Sequence, residues 1–168
     1  MQEIYVENLK EVIRNKRKIE KALSLKLTNK GKNVFVNGDA DDEFVAIEIL
    51  RAVNLGFSVD SALDLKDGEV ILQTLNIKDL TKRHDLERVR ARIIGTHGRT
   101  LKTLSNLTNC HISLHDNQIG IIGNTNLMED AVQAVTSLVQ GSKQGNVYGR
   151  LERRKKVKLD DEFDMEGE

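Results

Sequence analysis

The sequence predicts an α+β fold of two tandem units, each ordered strand–helix–helix–strand–strand–helix, with a three-stranded sheet covered on one face by three helices. Three observations predict it. Apolar residues pass between two-residue spacing and three-to-four-residue spacing in the same succession twice along the chain. Glycines punctuate the switches, and the stretch Gly56–Gly68 separates the two successions. Aromatics make up only 4% of the 168 residues, and Trp and Pro are absent, so the cores must be closed by Ile, Leu and Val.

In the first unit (1–56), Ile4 and Val6 alternate with polar neighbours over 4–9, as in a short strand. Leu9, Val12, Ile13, Ile19 and Leu23 then recur at roughly helical spacing. Arg14-Asn15-Lys16-Arg17 interrupts them with no apolar residue, so two short helices are expected there. Residues 23–31 alternate as a strand into a Lys-Gly turn, and 33–38 form the next strand. Asp39, Asp41 or Asp42 is placed to cap a helix carrying Phe44, Val45, Ile47, Ile49, Leu50 and Val53, which stops at Gly56. A short linker helix is expected over 57–68, with Ser58 as its cap.

The second unit (69–149) repeats the order. Residues 69–77 read as a strand and 85–94 as a helix with Leu86, Val89 and Ile93 apolar. A loop, Gly95-Thr96-His97-Gly98, leads into a helix over 99–108. The strand 110–116 puts Cys110, Ile112 and Leu114 on one face and leaves His111 and His115 on the other, expected toward solvent. Asp116-Asn117 is a tight-turn signal before the strand 118–124, and a helix follows from Asn124 or Thr125 to Gly141. Residues 150–158 carry six basic side chains, and 160–168 carry six acidic ones. Low hydrophobicity with such charge predicts a disordered tail over 150–168.

Formal net charge is zero, from 26 basic and 26 acidic residues, but the charge is segregated. Residues 10–32 hold nine Lys/Arg and two Glu, and 82–102 hold seven Lys/Arg against Asp85 and Glu87. Residues 37–69 hold nine Asp/Glu against Arg51 and Lys66. Such runs set up local fields that the zero total conceals. Each basic run alone could be the solvated face of a helix. Two of them, in equivalent places of two similar units, favour a polyanionic partner.

The chemistry concentrates in RIIGTHGRT (92–100). A lone G-x-x-G is a weak signal, but this one sits between two helices, with βα before it and αββα after it. Glycine lets a phosphodiester approach the backbone and accepts positive φ. The helix opening at Arg99 offers free amides and a favourable dipole to an anion. Arg92, Arg99 and Lys102 can add charge, and Thr96 and His97 can donate to phosphate oxygens; His97 could equally be an unengaged loop residue. Ile93, Ile94, Leu104, Ile112 and Leu114 are expected to form an aliphatic floor for bases. The context is the KH signature, a GxxG loop that clamps about four nucleotides of single-stranded RNA. A turn within a plain helical hairpin is the alternative.

Other chemistries find little support. A single cysteine, Cys110, leaves no internal disulfide or multi-cysteine metal site and fits a reducing cytosol. Neither a signal-peptide core nor a run of about 20 apolar residues occurs, so a soluble cytoplasmic protein without a membrane partner is expected. No Gly-x-Ser-x-Gly, Walker or HExxH motif is found. Asp39, Asp41, Asp42 and Glu43 could hold Mg²⁺, but capping the following helix explains them better. No catalytic residue, metal or cofactor is expected.

LGFSVDSALDL, RIIGTHGRT and VTSLVQGSKQGNVYGRLERRKK together resemble the Pno/Krr family of ribosome-assembly KH proteins (partner of Nob), archaeal branch, over about residues 4–154. The resemblance implies two type I KH domains. It also implies binding to the 3′ region of small-subunit rRNA, contact with the Nob-type endonuclease that makes the final 3′ cut, and a link to initiation factor two. It places RNA binding on Gly95, Thr96, His97 and Gly98 with Arg92, Arg99 and Lys102 beside them. The first unit departs from the pattern, since Arg14-Asn15-Lys16-Arg17 stands where a GxxG is expected. The backbone clamp is therefore expected to be lost there, with diffuse phosphate attraction or protein packing in its place. A general RNA-binding KH protein, and an interaction module that no longer binds RNA, are the competing readings.

Overall fold

The computed structural model describes residues 1–167. In the first unit, strand β1 (Gln2–Tyr5) leads into α1 (Leu9–Arg14) and α2 (Lys16–Leu23), then β2 (Lys26–Lys30), β3 (Asn33–Asn37) and α3 (Ala40–Asn54). The antiparallel sheet is ordered β1-β3-β2, so β2 is an edge. Its register pairs Ile4 with Val34 and Leu27 with Val36. Val34, Val36 and Leu27 point onto Val12, Ile19, Ile49 and Leu50, all nearly or wholly buried.

The second unit repeats this arrangement with β4 (Val70–Asn76), α6 (Leu86–Ile94), α7 (Arg99–Thr108), β5 (His111–His115), β6 (Gln118–Asn124) and α8 (Thr125–Val139), in the sheet order β4-β6-β5. A one-turn helix, α5 (Ile77–Leu80), lies between β4 and α6. Its Ile77 is fully buried, and its first turn is capped by Asn76 Oδ1 accepting from the Lys78 amide at 3.0 Å.

Strand β6 carries apolar residues on both faces. Ile119 and Ile121 of β6 enter the second core with Leu138 and Ile93, whereas Ile122 joins the first core. Gly120 is the position where the linker presses closest, since a Cβ there would come within 2.6 Å of Phe57 and 3.1 Å of Leu55. The linker itself is α4 (Val59–Ala62), capped by Ser58, followed by a 3-10 turn (Leu63–Lys66). Val59, Ala62 and Leu65 bury against the first unit. The linker therefore also covers the sheet face that the second unit's own helices leave open.

Under this cover His111 and His115 stay solvent-exposed, as expected, yet each also reaches a carboxylate of the linker or the first unit. His111 Nε2 lies 3.0 Å from Asp64, and His115 Nε2 lies 2.9 Å from Glu7. Between them Ser113 Oγ donates to Leu55 O at 2.9 Å.

A difference from the sequence expectation concerns the C-terminus. The expected disordered tail is instead a continuous helix, α9 (Gln144–Glu166); Glu168 lies outside the described residues. Its first turns are anchored, with Val147 and Leu151 buried in the second core. Arg154 and Lys158 then flank Asp130 of α8 at 2.7 and 2.9 Å. Charge density alone misreads this segment, because two apolar residues four apart and one shared carboxylate dock its first half. Beyond Lys158 the side chains are exposed.

The acidic cluster serves the start of α3. Asp39 occupies the cap position without a side-chain bond, while Asp41 and Asp42 lie in the first turn. Glu43, 7% exposed, accepts from the Gly38 amide at 3.1 Å, and that bond holds its carboxyl below the ordinary glutamate range. No helix of the described residues is long and apolar enough to cross a membrane.

Candidate nucleic-acid interface

Helix α6 is amphipathic, with Val89 and Ile93 buried, and it ends where Gly95 turns to φ 75°. His97 and Gly98 follow at φ 55° and 73°. Three of four consecutive residues thus occupy the left-handed region, a conformation that only glycine adopts without strain. The two glycines meet different demands. A Cβ on Gly95 would lie 2.8 Å from Thr100 Cβ and 2.9 Å from its amide nitrogen, so the loop can pack back on α7 only if residue 95 has no side chain. At Gly98 nothing lies within 4 Å of the equivalent position. One glycine allows the loop to close inward, and the other leaves its outer face bare.

The loop is tied by Gly95 N to Ala91 O at 2.8 Å and by Gly98 N to Gly95 O at 3.3 Å. The Thr96 and His97 amides find no backbone carbonyl among the described residues. Gly98 then opens α7 with no side-chain cap. Free amides at a left-handed loop and an uncapped helix start present donors to an anion from one side. Thr96, His97, Arg99 and Lys102 are all exposed around this point. Neither Arg99 nor Lys102 has a carboxylate within 4 Å among the described residues.

Other residues expected here are placed differently. Ile93 and Leu104 are fully buried, so they support the surface without forming it. Ile94 is 37% exposed beside Gly95. Ile112 and Leu114 are half-buried on β5 and pack on the second core. Arg92 turns away from the loop: its guanidinium donates to Gly141 O at 2.9 Å and Ser142 O at 2.5 Å. The carbonyls just past the end of α8 have no helical donors, and this arginine supplies them.

Sequence reasoning missed the second half of this contact. Gln144 Nε2 donates to Thr100 Oγ1 at 3.0 Å, the same hydroxyl that crowds Gly95, and approaches Arg92 O at 3.5 Å. The turn between α8 and α9 thus straps the end of α6 to the start of α7 from behind the GxxG loop. More than 40 residues separate these partners, and no local spacing could have paired them.

Residues 71–156 match the family described as the second KH domain of PNO1, a eukaryotic-type (type I) KH domain. The chain belongs to the PNO1 family of KH-domain proteins. The KH domain-containing protein MJ0443 of Methanocaldococcus jannaschii is 30% identical over 151 residues, covering 85% of this chain and 66% of that relative. The pre-rRNA-processing protein PNO1 of Candida albicans is 39% identical over 108 residues, covering 62% of this chain and 39% of its own length. The chain thus spans less than two thirds of these curated relatives. Among solved PNO1-like structures, Dim2p of Pyrococcus horikoshii superposes with a TM-score of 0.80 at 31% identity, over 91% of this chain and 99% of that one. A second structure from the same organism, a complex of aDim2p with initiation factor 2α and rRNA, gives 0.82 at 30% identity, over 93% of this chain and 94% of the matched chain.

Proposed function

We propose that this chain is a non-catalytic assembly factor of the small ribosomal subunit that grips a single-stranded segment near the rRNA 3′ end. The observation that carries this reading is the Gly95–Gly98 loop. Its left-handed backbone, bare Gly98 and unpaired Arg99 and Lys102 are matched to a phosphodiester backbone and to little else. Ile94, with the half-buried Ile112 and Leu114, offers an aliphatic surface for bases without aromatic stacking. The relatives' roles in pre-rRNA processing and the rRNA complex of the Pyrococcus homologue support the choice of RNA. A Nob-type endonuclease and initiation factor two are the protein partners this reading assigns.

Fluorescence anisotropy with an RNA copying the 3′ end of small-subunit rRNA, against a scrambled RNA, tests it. Preference for the rRNA sequence is expected, with a log–log salt slope of about −3 for roughly four engaged phosphates. The Gly95→Asp/Gly98→Asp variant is expected to lose binding by about two orders of magnitude, because it adds two like charges to the anion site. Unchanged binding by that variant would remove the RNA site from this loop.

A further inference from the structure

We infer that the chain pairs with a second copy of itself through the free edge of the second sheet, strand β4 running antiparallel to β4 of the other copy. This goes beyond the clamp reading, which concerns the GxxG loop and the opposite edge of that sheet, β5.

Strand β4 (Val70–Asn76) stands at the end of the order β4-β6-β5 and pairs only with β6 among the described residues. Its hydrogen-bonding phase is fixed at both ends. The Thr125 amide donates to Glu69 O at 3.0 Å, and the Ile77 amide donates to Asn117 O at 2.8 Å. Every second residue of an antiparallel strand turns its main-chain groups the same way, so Ile71, Gln73 and Leu75 turn theirs inward to β6. Val70, Leu72, Thr74 and Asn76 turn theirs outward. The Leu72 and Thr74 amides and carbonyls find no partner there among the described residues. The other edges are guarded: β1 is four residues long and carries Glu3, β2 carries Lys26 and Lys30, and β5 has a histidine at each end. Strand β4 spans seven residues, VILQTLN, without a charge. Short length and charge are what keep sheet edges from pairing, and here both are missing.

This edge is complementary to itself. With Gln73 on a twofold axis, Leu72 meets Thr74 of the other copy through paired N–H···O bonds, and Val70 meets Asn76 in the same way. Ile71, 36% exposed, meets Leu75 on the helical face of the sheet. No charged side chain of the strand stands opposite its like. On the face toward the first unit, a cavity of about 340 Å³ is lined by Leu72, Thr74 and Gln118 and, across it, by Glu48 and Arg51 of α3, so the neighbouring unit leaves the edge accessible. A formal net charge of zero removes the overall repulsion that holds many chains apart. The paired edges join two three-stranded sheets into one, with the two β5 strands at its outer ends. Because α7 packs beside β5, such a dimer carries one GxxG loop toward each end.

Sedimentation equilibrium of the full chain from about 5 to about 500 μM tests the pairing, a range wide enough to follow a weak dimer by mass action. The mean mass is expected to rise toward that of two chains. Gln73 is exposed in the single chain, so replacing it acts on the pair and spares the core. Gln73→Lys alone and Gln73→Glu alone each set like charges across the axis and should weaken association by about tenfold or more. An equal mixture of the two variants should recover association to within about threefold of wild type, as dimers holding one chain of each kind. Amide exchange gives a second readout. Over the same rise in concentration the Leu72 and Thr74 amides should slow by about tenfold, whereas the Ile71 and Gln73 amides, already bonded to β6, should not change. A chain that stays single at every concentration would overturn the inference and leave the edge to a strand of another protein. Dimers indifferent to both charge variants, or variants that stay apart on mixing, would defeat it too. Protection of Leu72 and Thr74 that appears only on adding RNA would assign the edge to RNA and refute self-pairing.

Discussion

The two elbows of this molecule solve the same joint in different ways. In the second unit the chain needs four residues, three of them left-handed, to pass from α6 to α7. In the first it needs one. Asn15 sits at φ −108°, its amide still bonded to the Glu11 and Val12 carbonyls, and α2 begins at the next residue. The first joint keeps most helical hydrogen bonds and projects side chains. The second gives up backbone bonds and side chains and exposes amides. A backbone clamp and a charged elbow are thus alternatives fixed by local conformation, and a chain cannot have both at one joint.

The comparison breaks most visibly at Gly95. Gly95→Ala is expected to destabilise the protein by about 2–4 kcal/mol, combining overpacking against Thr100 with left-handed strain, and to lower the urea midpoint and RNA affinity together. Gly98→Ala meets no neighbour, so it should cost only about 1 kcal/mol, from φ alone. If the two alanine variants lose equal stability, the division of labour between the glycines is wrong.

The strap behind the loop comes next. Gln144→Ala or Thr100→Val should each cost about 1 kcal/mol and weaken RNA binding about three- to tenfold, with no change in salt slope because no phosphate contact is removed. In a double-mutant cycle the two losses should not add, since both break one hydrogen bond. Thr100→Ser keeps the hydroxyl and should bind close to wild type. Arg92→Gln makes the sharper point. A phosphate contact there would lower the slope by about 0.7, whereas a residue that caps α8 should leave the slope unchanged.

Asn15→Gly in the first unit should cost at most about 1 kcal/mol, from helix propensity, and should not create a GxxG-like affinity, because no left-handed turn is demanded there. The smallest effect is confined to acid. Glu43 has a lowered pKa in the folded state, so its contribution is present above the ordinary glutamate range and is lost as pH falls through its folded value. Urea midpoints measured from neutral to acid pH should show Glu43→Gln below wild type at neutral pH and converging on it in acid.

Much of this was legible in the residues. The doubled βααββα order, the break at Arg14–Arg17 and the GTHG loop all rest on spacing and composition within a few residues. The tail was misread for the same reason, since a local rule saw its charge and not Asp130 waiting on α8. Arg92 was assigned to the right element, but the direction of its side chain depended on what the rest of the chain brought opposite it.

The sequence by itself determined the order of elements, the aliphatic cores and the position of the glycine loop, because each follows from the periodicity and steric freedom of neighbouring residues. Only the tertiary structure decided that the linker would cover the second sheet through Phe57 against Gly120. It also decided that Gln144 and Arg92 would strap the clamp from behind. These are contacts between residues far apart in the chain, and their existence depends on how the packed cores position the surfaces between them.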